Sequence, residues 1–231
     1  MIRLHFTVEG QTEEQFVNRM LVPHLASFDV FGDARRVLTS ENVKSAKEYR
    51  GGFRRTAAYE VVKRDILNWM KEDDHPECRF TTMFDLYALP NSFPGYDETP
   101  RDLYGRIGAL EAAFKDDIDA AFGGFSRFVP YIQLHEFEAF LFVDPLALDR
   151  EYLEHDSAIR NLMEVVEKES NPEAIDDGRE TAPSKRIKKE IPEYDKNAAG
   201  VNVVEHIGLE GLRQKCRHFH QWMERLENLG R

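Results

Sequence analysis

The chain has 231 residues, of which 42% are apolar and 32% charged, with a net charge of −11; this fits a soluble globular protein of one domain, or one domain with an appendage. No run reaches the roughly 18 apolar residues that a membrane helix needs, no signal-peptide pattern opens the chain, and Cys78 and Cys216 are too few for a disulfide framework, so a cytoplasmic protein is expected. The acidic balance argues against a passive nucleic-acid coat, because phosphate backbones repel such a surface, but not against an enzyme that reaches a polyanion through metal ions or local basic patches.

Ile2, Leu4, Phe6 and Val8 alternate as in a strand and lead into Glu9-Gly10. Thr12 as cap, with Gln15 reaching back, predicts a helix from about Thr12 to Phe28. Arg35 to Thr39 reads as a short strand, and Thr56 to Lys71 as a helix with Val62, Ile66, Trp69 and Met70 near one face. Arg79 to Tyr87 is β-rich and ends at Asp85-Leu86-Tyr87. After a loop bearing Pro90, Pro94, Gly95 and Pro100, Leu103, Ile107, Leu110, Phe114 and Ile118 keep helical spacing from Arg101 to Phe122, where Gly123-Gly124 stops the helix. Phe128 to Leu134 reads as a fourth strand running into His135-Glu136-Phe137-Glu138. The expected fold is therefore α/β, a largely parallel four-stranded sheet flanked by helices over residues 1–143. Residues 144–231 read as a helical extension packed on it, with a polar loop at Asn171 to Ala182.

Acids stand at three strand ends: Glu9, Asp85, and the pair Glu136 and Glu138. Ligands in open α/β sheets bind beyond the carboxyl ends of the strands. Neighbouring strands lie about 4.8 Å apart, within metal-bridging reach for such carboxylates. Oxygen donors of this kind suit Mg²⁺ or Mn²⁺. If the fourth strand continues through Glu136 and Glu138 both face one side; if a helix begins there they diverge and only one can serve. Glu13 is either a water-mediated ligand or a first-turn helix acid.

Basic residues gather between Arg35 and Arg55, including Arg50, Arg54 and Arg55, and again at Lys185, Arg186, Lys188 and Lys189 with Lys196 beyond. Each cluster reads either as a surface that tracks a nucleic-acid backbone or as a solvated face. Lys185, Arg186 or Lys196 can offset charge on a phosphate in a transition state. Cys216 and His220 sit at i,i+4, but no second half of a zinc site accompanies them. His135 is either an acid–base group or a hydrogen-bonded structural residue.

Val8-Glu9-Gly10-Gln11-Thr12-Glu13, Phe84-Asp85-Leu86-Tyr87 with Leu89-Pro90 and Phe93-Pro94-Gly95, Leu134-His135-Glu136-Phe137-Glu138-Ala139, and Ala182-Pro183-Ser184-Lys185-Arg186 together resemble the DUF4276 family. That resemblance implies a relationship to Toprim domains, the metal-binding α/β module of topoisomerases, primases and overcoming-lysogenization-defect nucleases. Those enzymes place a glutamate after the first strand and an Asp-x-Asp pair after the third. Glu9 and Asp85 match, whereas Tyr87 stands where the second aspartate belongs; Asp97 or the Glu136/Glu138 pair can take its place. The resemblance implies a Mg²⁺- or Mn²⁺-dependent nuclease with Glu9 and Asp85 as ligands, to which the strand-end reading adds Glu136 or Glu138, acting in bacterial anti-phage or anti-plasmid defence beside an ABC-like or AAA-type ATPase. The alternative is a non-catalytic regulatory or sensor subunit. No Gly-x-x-x-x-Gly-Lys-Ser/Thr loop occurs, so ATP hydrolysis would belong to another chain.

Overall fold

The alternation at Ile2, Leu4, Phe6 and Val8 forms strand β1 (Ile2–Val8), which runs inside a parallel sheet. The structure is a computed structural model that describes residues 1–42, 47–50, 59–97, 102–124, 127–175 and 181–231, with backbone alone for 38–42 and 47–50. The sheet order is β2-β1-β5-β6, with β2 (Val30–Arg36), β5 (Cys78–Asp85) and β6 (Phe128–Val129); β7 (Ile132–Gln133) also pairs with β5. In the register Val8 stands opposite both Arg36 and Met83. A separate antiparallel pair joins β3 (Leu38–Asn42) to β4 (Lys47–Arg50). The chain packs as two compact units, residues 1–132 with 226–231, and residues 133–225. Among the described residues no helix is long and apolar enough to cross a membrane.

In the first unit, α3 (Tyr59–Glu72) and α4 (Leu103–Phe122) pack beside the sheet through aromatic contacts. Phe114 of α4 lies within 4.9 to 6.2 Å of the rings of Tyr59, Phe84, Phe93 and Phe128. Asp102 caps α4 by accepting from Gly105 N at 2.7 Å, and Gly123 ends it at φ 91°, a left-handed conformation that glycine adopts without strain. A side chain at Gly32 would place its Cβ 2.8 Å from Leu4 O, so the strand needs glycine there.

Three expected elements differ from the structure. The helix after β1 is divided into α1 (Gln11–Phe16), a π turn (Val17–Leu21) and α2 (Val22–Ala26). The π turn lies just before Pro23, where a continuous α-helix would lose a hydrogen bond and drive the ring into the carbonyl of Arg19. The strand expected at Arg35 to Thr39 is two strands, β2 beginning at Val30 and β3 at Leu38. Because β2 is the sheet edge, its exposed residues include Phe31, and no apolar alternation marks it. The strand expected at Phe128 to Leu134 is broken at Pro130, which has no N–H for the ladder. The hydroxyl of Thr82 compensates, accepting from Tyr131 N at 3.1 Å and donating to Tyr131 O at 3.0 Å.

The second unit is built around Phe137–Val143, a 3₁₀ segment in which every residue is buried. Phe140 meets Phe219 of α8 (Arg217–Glu227) at 5.0 Å between ring centroids. Around this segment lie α5 (Asp156–Lys168), α6 (Pro183–Glu190) and α7 (Val201–Lys215).

Phe114→Ala should lower unfolding free energy by about 3–5 kcal/mol, the usual cost of removing a fully buried phenylalanine, as read from urea unfolding.

Candidate functional site

The parallel ladder of β1 and β5 extends one residue past β1, because Glu9 N donates to Met83 O at 3.0 Å. That carries the Glu9 side chain back to β5, where its Oε2 accepts from Asp85 N at 2.9 Å. Asp85, the last residue of β5, is 4% exposed. Gly10 then opens α1 as its N-cap in an extended conformation, with no side chain capping it. The expected cap at Thr12 is therefore corrected: Thr12 lies inside α1 and is buried. A Cβ on Gly10 would stand 3.0 Å from Glu13 Oε2, so the buried Glu13 folds its carboxylate back over this turn. Glu9 and Asp85 thus adjoin through the backbone where two parallel strands end, with Glu13 in the first turn of α1, although among the described residues these three form no group of donor atoms within 4.8 Å of one another. These are hard oxygen donors of the kind that bind Mg²⁺ or Mn²⁺. Tyr87 lies in the 3₁₀ turn Leu86–Ala88 and is half-buried, and Asp97 is exposed in the loop that follows.

Glu136 and Glu138 belong to the second unit, where the strand does not continue through them; a 3₁₀ helix begins after Glu136 and the two carboxylates diverge, as in the second geometry expected for them. The chain turns at His135, whose φ is +62°, leaves Glu136 extended, and places Glu138 in the 3₁₀ segment. Glu136 Oε1 accepts from Ser184 N at 2.5 Å and so caps α6. Glu138, 3% exposed, pairs with Lys196 Nζ at 3.5 Å, and that ammonium stands 5.7 Å from the Phe137 ring centroid. Burial, with the charge of Glu138 next in size, pushes the Tyr194 hydroxyl far above the ordinary tyrosine range. His135 is buried, its Nε2 2.9 Å from Glu173 O, which matches its structural reading.

Lys185 is exposed on α6, while Arg186 Nε donates to Thr181 O at 2.7 Å. Of the other basic cluster, Arg54 and Arg55 lie outside the described residues, and Arg50 is placed in β4 by its backbone alone. Arg35 donates to Asp65 O at 2.8 Å and stacks 4.0 Å from the Trp69 ring centroid, and Arg36 pairs with Glu14 at 3.2 Å. Both are therefore engaged with helices. Cys216 is fully buried, with its thiol raised by that burial, and belongs to no group of three metal donors among the described residues.

One residue carries a role that its surroundings in the sequence hide. Glu173, read as part of a polar loop, is 1% exposed and accepts from His218 N at 2.9 Å and from Phe219 N at 3.0 Å. It therefore caps α8 from 45 residues away, a distance at which no local capping pattern exists.

Residues 8–227 match a family described as a domain of unknown function, DUF4276. No curated protein and no solved structure matches the chain.

Glu173→Ala should cost about 2–4 kcal/mol, because two buried N–H groups lose a charged acceptor; chemical denaturation with tryptophan fluorescence measures it.

Proposed function

The chain belongs to the DUF4276 family, and for this member we propose a divalent-metal-dependent nuclease that hydrolyses phosphodiesters at Glu9 and Asp85. The observation that carries this reading is the adjacency of those two carboxylate residues at the carboxyl ends of paired parallel strands, joined by the Asp85 N to Glu9 Oε2 bond of 2.9 Å. A Toprim-like origin accounts for that placement, since a glutamate follows the first strand and an aspartate the third strand of the parallel sheet.

The donor types fit Mg²⁺ or Mn²⁺, with Glu9 and Asp85 as the residues that would hold it and the buried Glu13 folded over the adjoining Gly10 turn. Bound there, the ion would polarise a phosphodiester and lower the pKa of a coordinated water. The chain's own contribution is positioning: the Asp85 N–H fixes the rotamer of Glu9, and burial keeps bulk water from Asp85. Arg50, Arg54, Arg55 and the exposed Lys185 are proposed to meet the nucleic-acid backbone, with Arg186 and Lys196 holding their own neighbours in place. The setting we propose is cytoplasmic defence against phage or plasmids, with an ABC-like or AAA-type ATPase on another chain.

A regulatory or sensor subunit without catalysis is the second reading. It draws on Tyr87 at the third motif and on the backbone N–H groups that already engage Glu9 and Glu136.

The test is calorimetric titration of Mg²⁺ and Mn²⁺ into wild type and Asp85→Asn, alongside cleavage of plasmid, single-stranded DNA and RNA. Asp85→Asn should lose metal binding and slow cleavage by roughly 10²-fold or more while its circular dichroism stays unchanged. Glu9→Gln should behave in the same way. Wild type that binds neither ion would overturn the nuclease and leave the regulatory reading.

A further inference from the structure

Three unlike donors converge near the amino-terminal end of β5, in the first unit and away from the Glu9 and Asp85 carboxylates. Cys78, the first residue of β5, is fully buried and stands opposite Arg3 in the register. His5 lies two residues further along β1 on the same face, opposite Phe80. Asp73 lies in the connection between α3 and β5. One donor atom from each residue lies within 4.8 Å of the other two. The far end of β5, where Asp85 sits, is roughly 23 Å away along the strand.

We propose that His5, Asp73 and Cys78 form a zinc site in which the His5 Nε2, an Asp73 carboxylate oxygen and the Cys78 Sγ are the protein ligands and solvent is the fourth. The donor chemistry selects the ion: a thiolate with an imidazole suits Zn²⁺, whereas Mg²⁺ prefers oxygen throughout. A tetrahedral zinc with bonds of about 2.0–2.3 Å separates its donors by roughly 3.3–3.8 Å. His5 Nε2 and Asp73 Oδ2 are 3.0 Å apart, so they need to part by only a few tenths of an ångström.

Outer contacts orient two of the ligands as metal sites require. His5 Nδ1 is 2.6 Å from Asp33 Oδ1, which fixes the ring and leaves Nε2 for the ion. Arg3 Nη2 donates to Asp73 Oδ1 at 2.8 Å, leaving Oδ2 to turn toward His5. The imidazole is also held against Trp69 and Phe80, with ring centroids 4.7 and 5.2 Å away. The charges balance, since one thiolate and one carboxylate neutralise a divalent ion. The side chains of His5 and Asp73 are 12% and 20% exposed, which admits the fourth ligand.

Without metal, protons occupy the same positions. Burial, with the Asp73 carboxylate beside it, pushes the Cys78 thiol up to about 11, and Cys78, His5 and the charge of Arg3 hold Asp73 down at about 2. Zinc displaces the thiol proton and the proton between His5 Nε2 and Asp73, and both leave to solvent.

The test uses the full chain freed of metal with EDTA and dialysed. Zn²⁺ is titrated by calorimetry, and Co²⁺ is added to a second sample and followed by absorbance. In excess Mg²⁺, which keeps the Glu9 and Asp85 carboxylates occupied, we expect one equivalent bound, with a thiolate-to-cobalt charge-transfer band in the near ultraviolet and intense visible bands of a four-coordinate ion. Cys78→Ser should remove the charge-transfer band and weaken zinc binding by more than about 100-fold; Asp33→Asn, outside the ligand set, should weaken it by about 10–100-fold. Asp85→Asn should change neither, which separates this site from the proposed nuclease centre. Wild type that yields no charge-transfer band overturns the proposal without relying on any variant. So does zinc affinity that survives in Cys78→Ser or disappears in Asp85→Asn.

Discussion

The pairing of β1 with β5 is the constraint on which the rest of the first unit depends. β1 has a neighbour on each side, and Leu4, Phe6 and Val8 are fully buried, so its backbone groups have no water to turn to and must be satisfied by the ladder. A slip of one residue would exchange these side chains with Arg3 and His5, which makes the register of Val8 with Met83 costly to alter. Both ends of the ladder inherit that precision. At one end it delivers Glu9 to the backbone of Asp85; at the other it sets Cys78 across from Arg3 and close to His5.

Carboxylates in this chain repeatedly serve backbone N–H groups at helix starts. Asp102 caps α4, Glu136 caps α6 and Glu173 caps α8, each placing negative charge at the positive end of a helix. An acid at the end of a strand can therefore serve packing or chemistry. Glu136 is engaged in the former, while Glu9 and Asp85 adjoin each other at the carboxyl edge of a parallel sheet. Their proximity, more than their charge, distinguishes them.

Much of the architecture is legible in the apolar periodicity of the chain. β1, β5, α3 and α4 follow their apolar periodicity, and Gly123 ends α4 where expected. The errors share a cause, since each lies where local pattern and tertiary surroundings disagree. β2 is an edge strand with little apolar alternation; Pro130 divides a run of strand-forming residues; and the extended Gly10 takes the cap position that the spacing of Thr12 and Gln15 suggested for Thr12.

Local residue pattern is enough to specify the α/β class, the parallel sheet, the helical character of the C-terminal part, and the placement of Glu9 and Asp85 at strand ends. These follow from burial periodicity and from glycine and proline at turns, which act over a few residues. The folded chain alone ties Glu9 to Asp85 N, caps α6 with Glu136 while pairing Glu138 with Lys196, and holds α8 through Glu173. Folding likewise brings His5 to Asp73, 68 residues away. Such contacts depend on which strands pair and in what register, a property of the folded ladder that no spacing along the chain records.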